Sequence, residues 1–403
     1  MPDRNPSPGP LAGLRVIELG TILAASTTAR ILGDFGAEVI KVEAPDRPDP
    51  MRYWGRGTYE GRALWWPVQS RNKKLVTANL RTPEGAELFV RLCDTADVVV
   101  ENFRPGTLER WGLGYDRLSR DNPGLVLARI SGYGQTGPYA ARPGYAAVGE
   151  AMGGIRYING YPDMPPPRSG LSLGDTLAGM FTSQGVMAAL HERQRSGRGQ
   201  VVDTSLVEAC MAVMESSFAE YDKLGVVRGP SGTGLPGVSP SNLFRSRDGK
   251  WVVIAANQDQ IFVRLCSAMG CPELATDPRY DTHVGRAANQ VELEQTVADW
   301  VAEHDAAELD TILTKHEVVA GPVYSVADIV ADPHVRDRGS LVVHHDDDLG
   351  DFLSQEVVPR LDRTPGSVRW TGPWELGAHN AEVYGGLGLD DAQLADLQEG
   401  GHI

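Results

Sequence analysis

The sequence predicts an α/β protein with a doubly wound parallel sheet and a smaller, helix-rich second domain. Three observations carry this. Short β-rich runs alternate with helical apolar spacing from residue 15 onward, the pattern of a parallel sheet covered by helices. A Gly/Pro/Ser-rich break, GPSGTGLPGVSPSN at 229–242, then interrupts the pattern. Strand-like sequence returns near residue 321. At 403 residues the chain has room for two or three domains. The expected division is a large domain over 1–224, a small domain with its glycine-rich loop over 225–320, and a return to the large domain over 321–403.

Residues 15–19 (RVIEL) read as a buried strand, and 24–35 as a helix ended by Gly36. Strands are expected at 38–43 (EVIKVE) and 76–80 (VTANL). A helix begins after Thr82, with Pro83 at its first position and Glu84 in its first turn, both favoured there. Residues 98–103 and 125–130 are further strands. A long helix covers 176–194 and stops at Ser196-Gly197, and a short strand at 200–203 precedes a second long helix over 205–224. Beyond the break come a strand at 250–256, helices up to His316, and a tail helix at 390–398.

Composition excludes several function classes. Lys and Arg number 38 against 53 Asp and Glu, a net charge of −15 at pH 7, the wrong sign for a bulk nucleic-acid binder. No run approaches the roughly 18 uninterrupted apolar residues of a membrane span. The polar, proline-broken opening MPDRNPSPGP lacks the apolar region of a signal peptide. The four cysteines (Cys93, Cys210, Cys266 and Cys271) fit neither a zinc-ligand spacing nor a disulfide framework. The expectation is a cytoplasmic protein with no metal site and no nucleic-acid or membrane partner.

Gly132-Tyr133-Gly134-Gln135-Thr136-Gly137 matches the GxGxxG of dinucleotide sites, directly after a strand. A pyrophosphate needs that turn to open into a helix. Pro138 and Pro143 spoil one, so the glycines are expected to shape a substrate-side loop. His344-His345-Asp346-Asp347-Asp348 reads as a solvated acidic turn, because neighbours along a strand point to opposite faces. No HExxH, GxSxG, Walker A loop or CxxC is present, which leaves hydrolase, zinc and P-loop chemistry without support.

Three segments could carry chemistry. Gln69-Ser70-Arg71-Asn72-Lys73-Lys74 is a cationic run in an acidic chain, suited to an anionic ligand or to plain solvation. Glu101-Asn102-Phe103-Arg104-Pro105-Gly106 follows a strand's carboxyl end, where ligands bind in open α/β sheets. It could hold a base or form an ordinary loop. Leu173-Gly174-Asp175-Thr176 opens the long helix. Asp175 reads either as an N-cap or as a carboxylate held ionised by helix N–H groups. In the second role it could attack an activated acyl carbon, with Gly174 admitting a substrate close to the backbone.

Together these segments resemble the class III CoA-transferases, the CaiB–BaiF family that includes the formyl-CoA transferases. The resemblance starts at Pro10-Leu11-Ala12-Gly13-Leu14-Arg15-Val16-Ile17 and continues through Gly36 to Glu43, Arg71 to Lys74 and Thr82-Pro83-Glu84-Gly85. It then takes in Glu101 to Gly106, Gly132 to Tyr145, Gly174-Asp175, Gly197 to Asp203 and the terminal Gly401-His402-Ile403. It implies a Rossmann-like large domain and a smaller α+β domain, in ring-shaped subunits interlocked as a homodimer. No prosthetic group is implied. Coenzyme A, as acyl-CoA, is a substrate, and a free carboxylic acid is the other.

Asp175 falls on the family's catalytic aspartate. Its implied role is to attack the donor acyl-CoA, giving an acyl-aspartyl anhydride and a CoA thiolate, then an aspartyl-CoA thioester that the acceptor acid resolves. The implied CoA positions are Ile22, Leu23, Asn72, Lys73, Lys74, Asn102, Phe103, Arg104 and Arg110. Asn102 and Phe103 would sit at the adenine, the cations at the phosphates, and Tyr145 on the acyl side. Backbone N–H groups of Gly229, Gly232, Gly234 and Gly237 are candidates to stabilise the oxyanion. Ala44 stands where some relatives have a phosphate-binding arginine, with Arg47 or Arg52 as candidate substitutes.

The racemase branch of the family needs a histidine after the Pro-Gly pair. Here Pro143-Gly144 is followed by Tyr145, and a phenol of ordinary pKa near 10 is a poor proton shuttle at pH 7. Transfer is therefore favoured over 2-methylacyl-CoA racemisation. A non-catalytic CoA-binding subunit is the other alternative, and the presence of Asp175 argues against it. The stretch from Gly149 to Arg168 resembles a subgroup with dicarboxylate acceptors. The expected pair is succinyl-CoA and a C4–C6 dicarboxylate, with Arg156 or Arg168 as candidate partner of a distal carboxylate.

Overall fold

The computed structural model describes residues 8–55 and 57–403; the first seven residues, which carry most of the opening read against a signal peptide, lie outside them. Six strands form the central sheet: β1 (Arg15–Glu18), β2 (Glu38–Glu43), β3 (Lys73–Thr77), β4 (Val98–Glu101), β5 (Val126–Ser131) and β6 (Val201–Ser205). All pairings are parallel, and the order is β3-β2-β1-β4-β5-β6. That order is the doubly wound, Rossmann-like arrangement, which reverses direction between β1 and β4 and opens a crevice at their carboxyl ends.

Alternation along the strands feeds two cores. Val16, Val98 and Val100 face the helices Ala24–Asp34 and Leu173–Ser196. Ile17 and Val99 face the helix Pro83–Cys93 and the C-terminal residues Val383, Tyr384, Leu389 and Ile403. With both faces covered, the strands read as continuous apolar runs.

β3 begins three residues earlier than the expected 76–80. Its first two residues are lysines, and Lys73 is fully buried. The buried Glu18 of β1 pairs with Lys73 at 2.7 Å and with Lys41 of β2 at 2.8 Å, and Lys41 also pairs with Asp49 at 2.8 Å. Charges tolerate such burial only when paired, and hydrophobic spacing does not reveal that pairing. The expected helix over 205–224 is likewise interrupted, into Leu206–Met211 and Ser217–Leu224.

The chain divides into two compact units. One takes in the described residues up to Ile155, Arg168–Ala219 and Asp337–Ile403; the other, Arg156–Pro167 and Glu220–Arg336. The second has a three-stranded antiparallel sheet, Ser241–Arg245, Trp251–Ala255 and Ala320–Pro322, packed on helices around Phe244, Ile254, Val297 and Leu309. Two boundaries differ from the expected ones. The return comes at Asp337 and not at 321, because Ala320–Pro322 completes the small sheet beside Trp251–Ala255. Arg156–Pro167 joins the second unit with no break in composition to announce it. No helix among the described residues is long and apolar enough to cross a membrane.

Candidate active site

Two cavities lie side by side where the strand order reverses. The first, about 190 Å³, is lined by Thr21, Ile22 and Leu23 after β1, by Asn102, Phe103 and Arg104 after β4, by Gly132 after β5, by residues 142–145, and by Asp175. The second, about 680 Å³, shares Thr21, Ile22, Phe103, Arg104 and Tyr145. It extends over the ends of β2 and β3 to Arg47, Trp54, Arg81 and Trp111.

Asp175 sits in the first turn of the 24-residue helix Leu173–Ser196. Four residues on, Gly179 lies on the same helix face. It meets the Ala24–Asp34 helix so closely that a Cβ there would stand 2.9 Å from the Ala24 carbonyl oxygen. The Thr28 hydroxyl donates to the Gly179 carbonyl at 3.1 Å. This contact holds the aspartate against the start of the Ala24–Asp34 helix, and so beside the loop after β1. The preceding residue, Gly174, donates its N–H to the buried Glu150 carboxylate at 3.3 Å.

Burial first, and then the nearby Glu150, push the Asp175 carboxyl up to about 6, while Arg168 pulls the other way. The expectation of a carboxylate held low by helix N–H groups is thereby corrected: Asp175 lies within the turn, and Ser172 occupies the cap position. At pH 7 a group of pKa about 6 is still roughly nine-tenths ionised. It is also more basic than a solvated aspartate, which favours nucleophilic attack.

The loops around it are fixed by specific bonds. The Asn102 side chain accepts from the Thr21 N–H at 3.0 Å and donates to the Thr21 carbonyl at 2.8 Å. Ile22 adopts φ +62°, a costly conformation for a β-branched residue. Its N–H donates to the Asp49 carboxylate at 3.1 and 3.2 Å. Phe103 N–H donates to Glu101 at 2.6 Å, and Arg129 Nε to the same carboxylate at 2.7 Å. The GxGxxG segment opens no helix. Gly132 and Gly144 cross so closely that a Cβ on Gly132 would stand 2.8 Å from the Gly144 Cα, and both glycines line the Asp175 cavity.

Seven of the expected site residues come together here: Ile22, Leu23, Asn102, Phe103, Arg104, Tyr145 and Asp175. Others lie away from the two cavities or are held by partners within the chain. Asn72 is fully buried and donates to Asp34 and to the Ser367 carbonyl, while Arg71 makes a forked pair with the same Asp34. Lys73 is held by Glu18 and Ser26, and Lys74 by Glu38 and Glu382. The cationic run therefore neutralises internal carboxylates and lines neither cavity. Arg110 also lines neither, and donates to the Thr107 hydroxyl at 2.9 Å. Asn102 staples two loops with its amide, so that group is not free for a base. Of the two candidate substitutes near Ala44, Arg52 is buried against Glu43 at 2.6 Å, whereas Arg47 lines the larger cavity. Gly229, Gly232, Gly234 and Gly237 lie in the second unit. The Gly232 N–H already donates to the Gly160 carbonyl at 2.8 Å, which removes it as an oxyanion donor.

Sequence reasoning passed over Asp49 and Arg142. Asp49 gives no signal, since its role depends on a buried pairing across strands. Arg142 could have been found from its place immediately before Pro143-Gly144-Tyr145.

A model of CoA-transferase family III matches residues 11–380. The chain belongs to CoA-transferase family III. This CoA-transferase is 53% identical over 392 residues to the succinyl-CoA--D-citramalate CoA-transferase of Chloroflexus aurantiacus, with 97% of each chain covered. It is 42% identical over 393 residues to the beta subunit of the succinyl-CoA--L-malate CoA-transferase of the same organism, covering 96% of this chain and 97% of that one. A solved CAIB/BAIF family protein from Brucella suis matches with a TM-score of 0.82 at 34% identity, over 94% of this chain and 99% of that one. CoA-transferases act on CoA thioesters, and the family indicates no prosthetic group.

Proposed function

We propose that this CoA-transferase moves CoA from succinyl-CoA to a short 2-hydroxydicarboxylate such as D-citramalate or L-malate, with Asp175 as nucleophile. The observation that carries the reading is one carboxylate, half-buried and raised to about 6, in a small cavity that opens beside a larger cationic one. The acceptor class follows the two relatives with the highest identities given above.

The larger cavity suits the nucleotide end of CoA. Arg47, Arg81 and Arg104 offer charge to phosphates, and Phe103 and Trp111, packed edge to face at 5.3 Å, offer aromatic surface to a base. An Asp175 oxygen attacks the thioester carbonyl, the C–S bond breaks, and the CoA thiolate leaves a succinyl-aspartyl anhydride. The thiolate then attacks the aspartyl carbonyl, releasing succinate and forming an aspartyl-CoA thioester. The acceptor carboxylate and the thiolate repeat these steps in reverse, so the new thioester leaves and Asp175 returns as a carboxylate. No net proton or ATP is consumed. No histidine lines either cavity, which leaves racemisation without a second base.

We also propose that the protein is an interlocked homodimer. Phe218, Tyr221, Leu224 and Val227 are all more than half exposed, a run of apolar surface that a partner chain would cover.

Purified protein mixed with succinyl-CoA and a panel of free acids should yield citramalyl-CoA or malyl-CoA by mass spectrometry. New thioesters from monocarboxylic acids alone would overturn the acceptor assignment. Because the ionised form attacks, kcat/KM for succinyl-CoA should fall about tenfold per pH unit below pH 6 and level off above it. A profile flat down to pH 4.5 would contradict the raised carboxyl.

A further inference from the structure

We propose that Arg142 selects acyl groups bearing a second carboxylate, by receiving that distal carboxylate inside the Asp175 cavity. This rests on the succinyl-CoA reading above. The cations around the two cavities divide by position. Arg47 and Arg81 line only the larger cavity, Arg104 lines both, and Arg142 lines only the one that holds Asp175. Arg47 and Arg81 serve the CoA end and Arg104 borders both, which leaves Arg142 as the arginine that lines the Asp175 cavity alone.

Its guanidinium is already positioned. It stacks over the Tyr139 ring at 3.6 Å from the centroid, and Tyr139 packs edge to face on Tyr133 at 5.8 Å. The Arg142 N–H donates to the Tyr139 carbonyl at 2.8 Å, closing the turn that returns the chain to the cavity. On the outgoing limb, the Gln135 N–H donates to the Asp203 carboxylate at 3.0 Å. Gly132 and Gly144 pinch the base of this excursion, so the loop leaves the end of β5 and delivers Arg142 back beside Tyr145. Among the described residues no carboxylate pairs with Arg142, although the chain carries an excess of acidic groups. A planar fork held by stacking, with its donor edges unclaimed, fits a carboxylate bidentately.

Size and charge agree. A cavity of about 190 Å³ admits a short acyl chain. Extended, the distal carboxyl carbon of a succinyl group lies about 4 Å from its thioester carbon. Asp175 and Glu150 make the site negative, so a second carboxylate entering it needs a cation of its own. Of the two arginines favoured from sequence, Arg156 lies in the second unit, and Arg168, although near enough to pull on the Asp175 carboxyl, does not line the cavity.

The test compares succinyl-CoA with butyryl-CoA, which has the same chain length and a methyl in place of the carboxylate. In a two-stage exchange, the donor's kcat/KM reports the first stage only, independent of the acceptor. Wild type should prefer succinyl-CoA by at least about 100-fold, and Arg142→Gln should lower that ratio by about 100-fold. Arg168→Gln should leave the ratio within about 3-fold. Arg142→Met, which keeps an unbranched stem over Tyr139, gives a second reading if the Gln variant does not fold. A selective wild type with equally selective Arg142 variants would overturn the proposal and leave the substrate reading standing. A wild type without preference would overturn both. A fall in the ratio with Arg168→Gln and none with the Arg142 variants would move the role to Arg168.

Discussion

Replacing Asp175 by Asn should lower the rate of CoA exchange at least about 1,000-fold while succinyl-CoA still binds. The amide keeps the size of the side chain and its contacts in the first turn of Leu173–Ser196, but offers no anionic oxygen to the thioester. The cations and aromatics of the larger cavity are untouched, so the dissociation constant for a CoA thioester should change by less than about 5-fold. A stability effect of opposite sign follows from the raised carboxyl. Its folded pKa of about 6 exceeds the unfolded aspartate value near 3.8, so above pH 6 the folded state carries a charge it disfavours. The Asn variant should therefore melt higher than wild type at pH 7, and the gain should shrink as the pH falls from 6 towards 3.8 and vanish near about pH 2.5, where both states are protonated. Melting scans across this range check the sign.

Lys41→Met should destabilise the protein by about 3–5 kcal/mol, read from the shift of its urea unfolding transition. Lys41 is fully buried between Glu18 and Asp49 and donates to the Gly20 carbonyl at 2.7 Å. Burial alone would lower its pKa, but Asp49 and Glu18 outweigh that and hold it well above the usual lysine range. Removing it leaves two buried carboxylates, with only Lys73 still beside Glu18. The damage should also reach the site. Asp49 holds the Ile22 N–H in its left-handed turn, and Ile22 lines both cavities. A loss below about 1 kcal/mol would mean that the buried network contributes little.

Much of the sheet was legible because its strands are apolar on both faces: β1, β2, β4 and β5 lie within two residues of where their runs place them. β3 was displaced because its buried Lys73 and half-buried Lys74 look like a solvated surface run until Glu18 and Glu38 are seen beside them. The same blindness hid the internal partners of Asn72, Lys73 and Lys74. A cation's charge is readable from sequence, but its partner comes from another strand. The residues after β1 and β4, together with Asp175, line one cavity, since strand ends and a helix start are local features and the strand order does the rest. Arg142 escaped notice because its meaning lies in a loop closed by the Gly132–Gly144 crossing, a contact between segments twelve residues apart.

The most direct test of covalent transfer through Asp175 is to incubate the protein with succinyl-CoA, quench, digest and weigh the peptides. The peptide containing Asp175 should carry CoA as a thioester, hydroxylamine should remove the label, and Asp175→Asn should never acquire it. A stable adduct on a different residue, or full exchange by the Asn variant with no adduct, would contradict it.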